Sequence, residues 1–227
     1  MSLQKIANLE TLLVAGEKNA PTIILFHGYG ANAHDLFGLH QAFQLPRALN
    51  WVFPNAPIDL GMQSRAWFHI DTAALEAAMA TGSHRDLTNA NPDGLAESEG
   101  LATEFIAALG LNPAKTIIGG FSQGAMLATE ITLLSQENFA ALCILSGTLL
   151  KQQTWRQLAN NKAGLPFFQS HGRYDPLLSF SDAEKLYNLL NEAGLSGEFL
   201  PFDGMHEIPM NVIAALNKFL LSREATL

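Results

Sequence analysis

Residues 116–127 read TIIGGFSQGAML, an apolar run that ends in glycines crowded around one serine just where a helical pattern begins. Gly120-Phe121-Ser122-Gln123-Gly124 fits G-x-S-x-G, a pattern whose mechanics require a sharp turn from a strand into a helix. At such an elbow the serine adopts a strained backbone conformation. Bulky flanking residues would strike the neighbouring strand and helix, so small residues stand two positions to either side. The context supplies both arms, since KTIIG is strand-like and QGAMLATEITLL is helix-like. The turn would lift the Ser122 hydroxyl above the sheet edge at a helix N-terminus, whose free amides and dipole favour negative charge on an attacked carbonyl oxygen. The plain alternative is a Gly-rich turn without chemistry, and the pentapeptide alone does not separate the two. Gly119 lies outside the elbow and has no assigned role.

Strand-length apolar runs recur outward from this stretch: Thr22–Phe26, Trp51–Pro54, Leu142–Leu145, Pro166–Ser170 and Glu198–Phe202, besides Thr116–Gly120. Their hydrophobicity is continuous rather than alternating, as expected of parallel strands covered on both faces. Helical patterns lie between them, over Gly94–Leu109, Gln123–Ser135 and Asp182–Ala193, with Gly110 and Gly194 closing the first and third. Ser181 and Glu184 are spaced as a capping box. A last helix opens near Pro209 and carries Val212, Leu216, Phe219 and Leu220 on one face. Alternation from end to end predicts one α/β domain over residues 1–227, with a mostly parallel central sheet and helices on both faces. The polar stretch GSHRDLTNANPD (82–93) reads as a long surface loop, either covering a site or simply connecting two elements.

The 227 residues are 48% hydrophobic, enough for one sizeable core, and the net charge is −8 with no block of Lys or Arg. That balance excludes the basic stripe that tracks phosphates, and with it nucleic acid as a partner. No apolar segment approaches the roughly 20 residues that span a bilayer, and the N-terminus lacks a leader-like apolar core, so no transmembrane segment is expected and the location reads as cytoplasmic. Cys143, the single cysteine, lies in the apolar ALCILSG, which excludes an internal disulfide and a paired-cysteine metal site and predicts a buried, inert thiol. A homodimer stays open.

A serine hydroxyl needs a base to take its proton, and the base needs an orienting carboxylate. In sheets that carry this elbow the chain order is Ser, then Asp or Glu, then His. Of seven histidines only His171 and His206 follow Ser122. His206, in FDGMHEIP, falls between the last strand and the last helix, on a loop able to overhang the sheet's carboxyl edge. Asp175, in HGRYDPLL, follows the strand Pro166–Ser170, and both positions lie where sites gather in open parallel sheets. His171 sits at a strand end before Gly172, a position suited to bonding local backbone. Asp203 is too close in sequence to approach His206 from the far side, Asp182 reads as a first-turn helix residue, and Glu207 adjoins the histidine and points elsewhere. Ser122, Asp175 and His206 are therefore the catalytic candidates. The early stretch FHGYGAN (26–32) offers a second oxyanion amide: the residue after the nucleophile, Gln123, gives one N–H and Tyr29 the other.

These segments resemble the phospholipase/carboxylesterase family of α/β-hydrolases, which includes acyl-protein thioesterases and small bacterial carboxylesterases. The resemblance rests on HGYGANAHDL, FPNAP followed by RAWFHID, GFSQGAML, HGRYDPLL and MHEIP, five ordered motifs covering nearly the whole chain. It implies an α/β-hydrolase fold and a serine hydrolase acting on carboxylic esters or thioesters of apolar, small or lipid-like acyl groups, with no metal and no organic cofactor. It also implies substrate-binding roles for Trp67, Phe68 and Leu177; from residue type alone Trp67 reads as core or rim packing. Met205 stands directly before the histidine where the family often has glycine, and ANAHDL leans toward the bacterial carboxylesterase branch. The implied cycle forms an acyl-enzyme at Ser122. Rival readings are a lysophospholipase or acyl-protein thioesterase with the same triad, separated by substrate panels, and a non-catalytic binder of hydrophobic ligands, which usually lacks a triad member.

Overall fold

The computed structural model describes residues 2–43, 45 and 48–224. In chain order the elements are β1 (Gln4–Ile6), β2 (Leu9–Val14), β3 (Thr22–Phe26), α1 (Ala33–Phe37), α2 (Leu39–Ala42), β4 (Asn50–Pro54), β5 (Ile58–Gly61), β6 (Ser64–Ala66), α3 (Thr72–Ala80) and α4 (Leu95–Ala108). They continue as β7 (Thr116–Phe121), α5 (Gln123–Leu134), β8 (Ala141–Leu145), α6 (Gln152–Ala159), β9 (Pro166–Gly172), α7 (Phe180–Glu192), β10 (Ser196–Phe202) and α8 (Met210–Glu224).

Eight strands form one sheet in the order β1-β2-β4-β3-β7-β8-β9-β10. The six strands from β4 to β10 in that order run parallel, and β2 and β1 join antiparallel at one edge. The parallel six are the six apolar runs of the sequence. Every residue of β3 and β8 is buried, as continuous hydrophobicity requires of strands covered twice. Successive side chains part to opposite faces. Ile24, Phe26, Ile118 and Ile144 pack with α4, α5, α6 and α7, while Ile23, Leu25, Ile117 and Leu145 pack with α1 and α8. The Val212, Leu216, Phe219 and Leu220 face of α8 is buried in that second layer. Cys143 is buried there too, and burial pushes its thiol up to about 12.

The capping box at Ser181 and Glu184 is not formed. The helix begins two residues earlier than its apolar pattern suggests, with Ser179 as N-cap, no side-chain cap and the Ser179 carbonyl taking the Asp182 and Ala183 amides. The turn after Asp175 delivers the chain directly into that first turn, and Asp182, as expected a first-turn acid, pairs with Lys185 at 2.7 Å. Two further features have weak local signatures. No residue of α3 is buried, so it has no apolar stripe to read, and Asp71 caps it by accepting from the Ala74 amide. The β5–β6 hairpin turns through Met62 and Gln63, both at positive φ, without the Asn or Gly that usually marks such a turn.

Candidate active site

Ser122 sits between β7 and α5 at φ 55°, ψ −118°, a conformation that costs a non-glycine residue about 1–3 kcal/mol. The surroundings hold it there: the Ser122 amide donates to Leu145 O on β8 at 2.8 Å, and its carbonyl accepts from the Ala125 and Met126 amides. A Cβ on Gly124 would lie 2.1 Å from Phe26 O, and one on Gly120 would lie 2.4 Å from the Gly124 backbone, so neither position admits a side chain. Gly119 has a comparable reason, because its Cβ would meet Cys143 at 2.6 Å on the neighbouring strand. Every residue of α5 from Gln123 to Leu133 is buried, which makes this helix the rigid mount of the elbow.

Asp175 and His206 reach the same edge of the sheet from the ends of β9 and β10. His206 Nδ1 donates to Asp175 Oδ2 at 2.6 Å, and Asp175 Oδ1 accepts from the Leu177 and Leu178 amides at 2.8 and 3.0 Å. Burial by itself opposes ionisation of Asp175. The hydrogen bonds from His171 and His206, the charge on His206 and the Leu178 amide outweigh it and hold the carboxyl well below the usual carboxylate range. The Phe121 ring lies 4.8 Å from the His206 ring. Among the described residues no hydrogen bond yet closes between Ser122 and His206, as is common before a substrate packs in. Asp203 faces Arg173 instead at 3.4 Å, and a Glu207 carboxylate oxygen accepts from the Met205 amide. His171 makes the local backbone contact expected of it, to Leu178 O at 3.1 Å.

Ser122 and His206 open onto a cavity of about 640 Å³ whose wall includes Tyr29, Phe68, Leu75, Leu87, Met126 and Leu177. Residues of the 82–93 segment form part of that wall, so this loop borders the cavity. It is fastened by His84 Nε2 to Asp175 O at 2.7 Å, by the Gln152 amide to Thr88 O and by the His69 amide to Asp93 O. Phe68 and Leu177 line the cavity. Trp67 does not: it is fully buried behind the wall, edge-on to Phe26, with Nε1 donating to His27 O at 2.9 Å. The wall residues Leu75 and Met126 were not separable from ordinary core positions by pattern.

Tyr29 and Gln123 line the same cavity as Ser122, Gln123 as the first residue of α5 and Tyr29 on the loop after β3, and that loop is stitched in place. Gly30 N donates to Arg65 O, and Arg65 N donates to Ala31 O, both at 2.9 Å. His27 is buried, with Nε2 accepting from Ala56 N at 3.0 Å, so the proton resides on Nδ1 and is donated to Gly28 O. Burial, against the pull of that carbonyl, lowers its pKa to about 4. The Gln123 side chain is a further element that sequence reasoning missed. Its Oε1 accepts from Trp67 N at 2.8 Å and its Nε2 donates to Phe68 O at 2.7 Å, which clamps the wall segment to the elbow.

An eight-stranded sheet with six parallel strands, wrapped by helices, with a strained serine between strand and buried helix and an Asp–His pair at the same edge, defines an α/β-hydrolase. The chain belongs to the Phospholipase/Carboxylesterase family, whose model matches residues 8–223. Acyl-protein thioesterase 1 of Kluyveromyces lactis is 33% identical over 187 residues, which cover 73% of this chain and 75% of that protein. Acyl-protein thioesterase 1 of Schizosaccharomyces pombe is 27% identical over 210 residues, covering 87% and 88%. The crystal structure of esterase PE8 superposes with a TM-score of 0.79 at 25% identity, over 95% of this chain and 99% of the other. No helix among the described residues is long and apolar enough to cross a membrane.

Proposed function

We propose that this chain is a serine carboxylesterase, hydrolysing carboxylic esters or thioesters of apolar acyl groups through an acyl-enzyme. The observation that carries the reading is the 2.6 Å bond from His206 Nδ1 to a buried, ionised Asp175, on the cavity that also holds the strained Ser122. In this reading His206 Nε2 takes the Ser122 proton as Oγ attacks the acyl carbon. Asp175 keeps the imidazole in the Nδ1–H tautomer and stabilises the imidazolium. The Tyr29 and Gln123 amides receive the oxyanion. Collapse of the tetrahedral adduct breaks the bond to the alcohol or thiol, which leaves with the proton from His206. Water then repeats the sequence on the acyl-enzyme, releasing the acid and restoring Ser122. Phe68 and Leu177 contact the acyl group in this scheme, and Trp67 supports the wall from behind.

A second reading, deacylation of proteins or lipids with the same triad, is favoured for proteins by the names of the thioesterase relatives and for lipids by the family's description. Residues 1–227 are taken as one domain acting in the cytoplasm, with a homodimer as the assembly to test by sedimentation. A serine-directed fluorophosphonate is expected to label the native protein, and short p-nitrophenyl esters to be hydrolysed. Labelling that survives Ser122→Ala unchanged overturns the assignment. A panel of acyl chain lengths, run as oxygen esters and as thioesters, separates the two readings.

A further inference from the structure

Asp175 accepts from more than one imidazole. His171, at the end of β9, lies with Nε2 3.3 Å from Asp175 Oδ2, the oxygen that also accepts from His206, and 3.1 Å from Leu178 O. Both neighbours of Nε2 are acceptors, so Nε2 carries a proton and is shared between them. His171 is completely buried, and its Nδ1 has no hydrogen-bond partner. A second proton there would be a buried, unpaired donor on a charged ring, so His171 is a neutral Nε2–H donor.

We infer that His171 is a positioning residue: it shares the Asp175 carboxylate with His206 and sets how strongly that carboxylate pulls on the His206 proton. This rests on the triad proposed above. During the cycle the His206 ring must pass a proton between Ser122 and a leaving group, and each step changes its hydrogen bond to Asp175. His171 does not touch the cavity, so its bond to Oδ2 persists while that of His206 changes, and the carboxylate stays aimed. The same N–H reaches Leu178 O, fixing the far end of the turn whose Leu177 and Leu178 amides hold Oδ1. One buried imidazole thus constrains both oxygens of the acid, Oδ2 directly and Oδ1 through the turn.

The charged and titratable groups around this cluster come from several elements. His84 contacts the Asp175 carbonyl from the 82–93 loop, Arg173 faces Asp203 across the base of the turn, and Glu207 adjoins His206. From α7 the His171 ring meets the Phe180 ring, at 6.2 Å between centroids, and Arg173 lies over that same ring. None of these donates to Asp175 Oδ2, so the second imidazole is the group whose removal concentrates negative charge toward His206.

His171→Gln keeps an N–H at the reach of Nε2, whereas His171→Leu removes it. With p-nitrophenyl butyrate, His171→Leu is expected to lower kcat about tenfold, the worth of one hydrogen bond to a charged group, with KM changed less than about twofold. Its acid limb in kcat/KM moves to higher pH by about half to one unit, because a carboxylate with one fewer donor holds the His206 proton more tightly. His171→Gln returns the limb to the wild-type position. If the leucine variant does not fold, His171→Asn, whose amide falls short of Oδ2, takes its place beside the glutamine. Limbs that coincide in wild type, glutamine and the shorter variant overturn the inference, leaving His171 a packing residue. Ser122→Ala separates this from the underlying reading: activity that persists there sinks the triad itself, whereas its loss with coincident limbs sinks only the role of His171.

Discussion

Replacing Gln123 by alanine tests whether the buried side chain after the nucleophile matters apart from its backbone amide. The side chain is 2% exposed and satisfies two buried backbone groups 55 and 56 residues away in the chain, Phe68 O and Trp67 N. Deleting it leaves one donor and one acceptor unpaired. At about 1–3 kcal/mol for each unpaired group, the mid-range loss is about 4 kcal/mol. For a chain of this size that corresponds to a fall in Tm of roughly 8–16 °C. Gln123→Glu is expected to do no better, since a carboxylate oxygen would replace the amide donor opposite Phe68 O. Denaturant unfolding supplies the free energy and calorimetry the Tm. Ester hydrolysis below the transition reports on the site, where a loosened Phe68 raises KM more than it lowers kcat, because the Gln123 amide survives in both variants. A Gln123→Ala protein within about 2 °C of wild type, at an unchanged denaturant slope, refutes the clamp.

Other perturbations separate crowded from open glycines and test the pH dependence. Gly124→Ala, with a Cβ 2.1 Å from Phe26 O, is expected to cost more than about 3 kcal/mol or to prevent folding, whereas Gly100→Ala, in α4 with nothing within 4 Å, should stabilise by about 0.5–1 kcal/mol in the same urea titration. His27, lowered from 6.5 to about 4, stays neutral in the fold while the unfolded chain takes up its proton, so the stability it contributes is complete above pH 6.5 and lost as pH falls toward 4. The full loss is about 3 kcal/mol, from about 2.5 pKa units at 1.36 kcal/mol each. His27→Asn should flatten that segment of the stability curve, and an unchanged slope between pH 6.5 and 4 counts against it. Asp175 acts lower, with stability present above its unfolded value near 3.8 and lost below it, so the two windows scarcely overlap.

The parallel strands and the elbow were legible because their causes are local. A strand covered twice must be apolar throughout, and an elbow has room only for glycine at positions 120 and 124. Asp175 and His206 were legible through chain order and through the loops on which they fall, each following a strand whose end is fixed by the sheet. The features that escaped depend on contacts and turn shapes that residue patterns do not record. For Trp67 the family resemblance suggested the pocket wall, whereas its residue type suggested packing, and it sits in the core with its indole N–H held by His27 O and its backbone by Gln123. His171 looked like a backbone-bonding residue and is one, but its contact with Asp175 depends on a turn whose shape no pentapeptide records. The early start of α7 has the same origin, since the chain enters that helix from the turn around Asp175 and not from a cap of its own.

The contacts of Gln123 and Trp67 connect the two segments that carry the amides proposed for the oxyanion. Gln123 offers its backbone N–H beside Ser122 and with its side chain grips the backbone of Trp67 and Phe68. The Trp67 indole in turn holds the carbonyl of His27, two residues before Tyr29, and Arg65, two residues before Trp67, pairs with Gly30 and Ala31 on the other side. The Tyr29 loop is therefore tied to the start of α5 through Trp67: the bonds among Trp67, His27, Gly30, Ala31 and Arg65 close a loop of contacts, and the Gln123 side chain fastens it to the elbow. Such a linkage resists small displacements of the Tyr29 loop, because moving it requires the buried hydrogen bonds at Trp67 to stretch together. The sheet sets where the two segments end, and the Trp67 contacts tie those ends to each other.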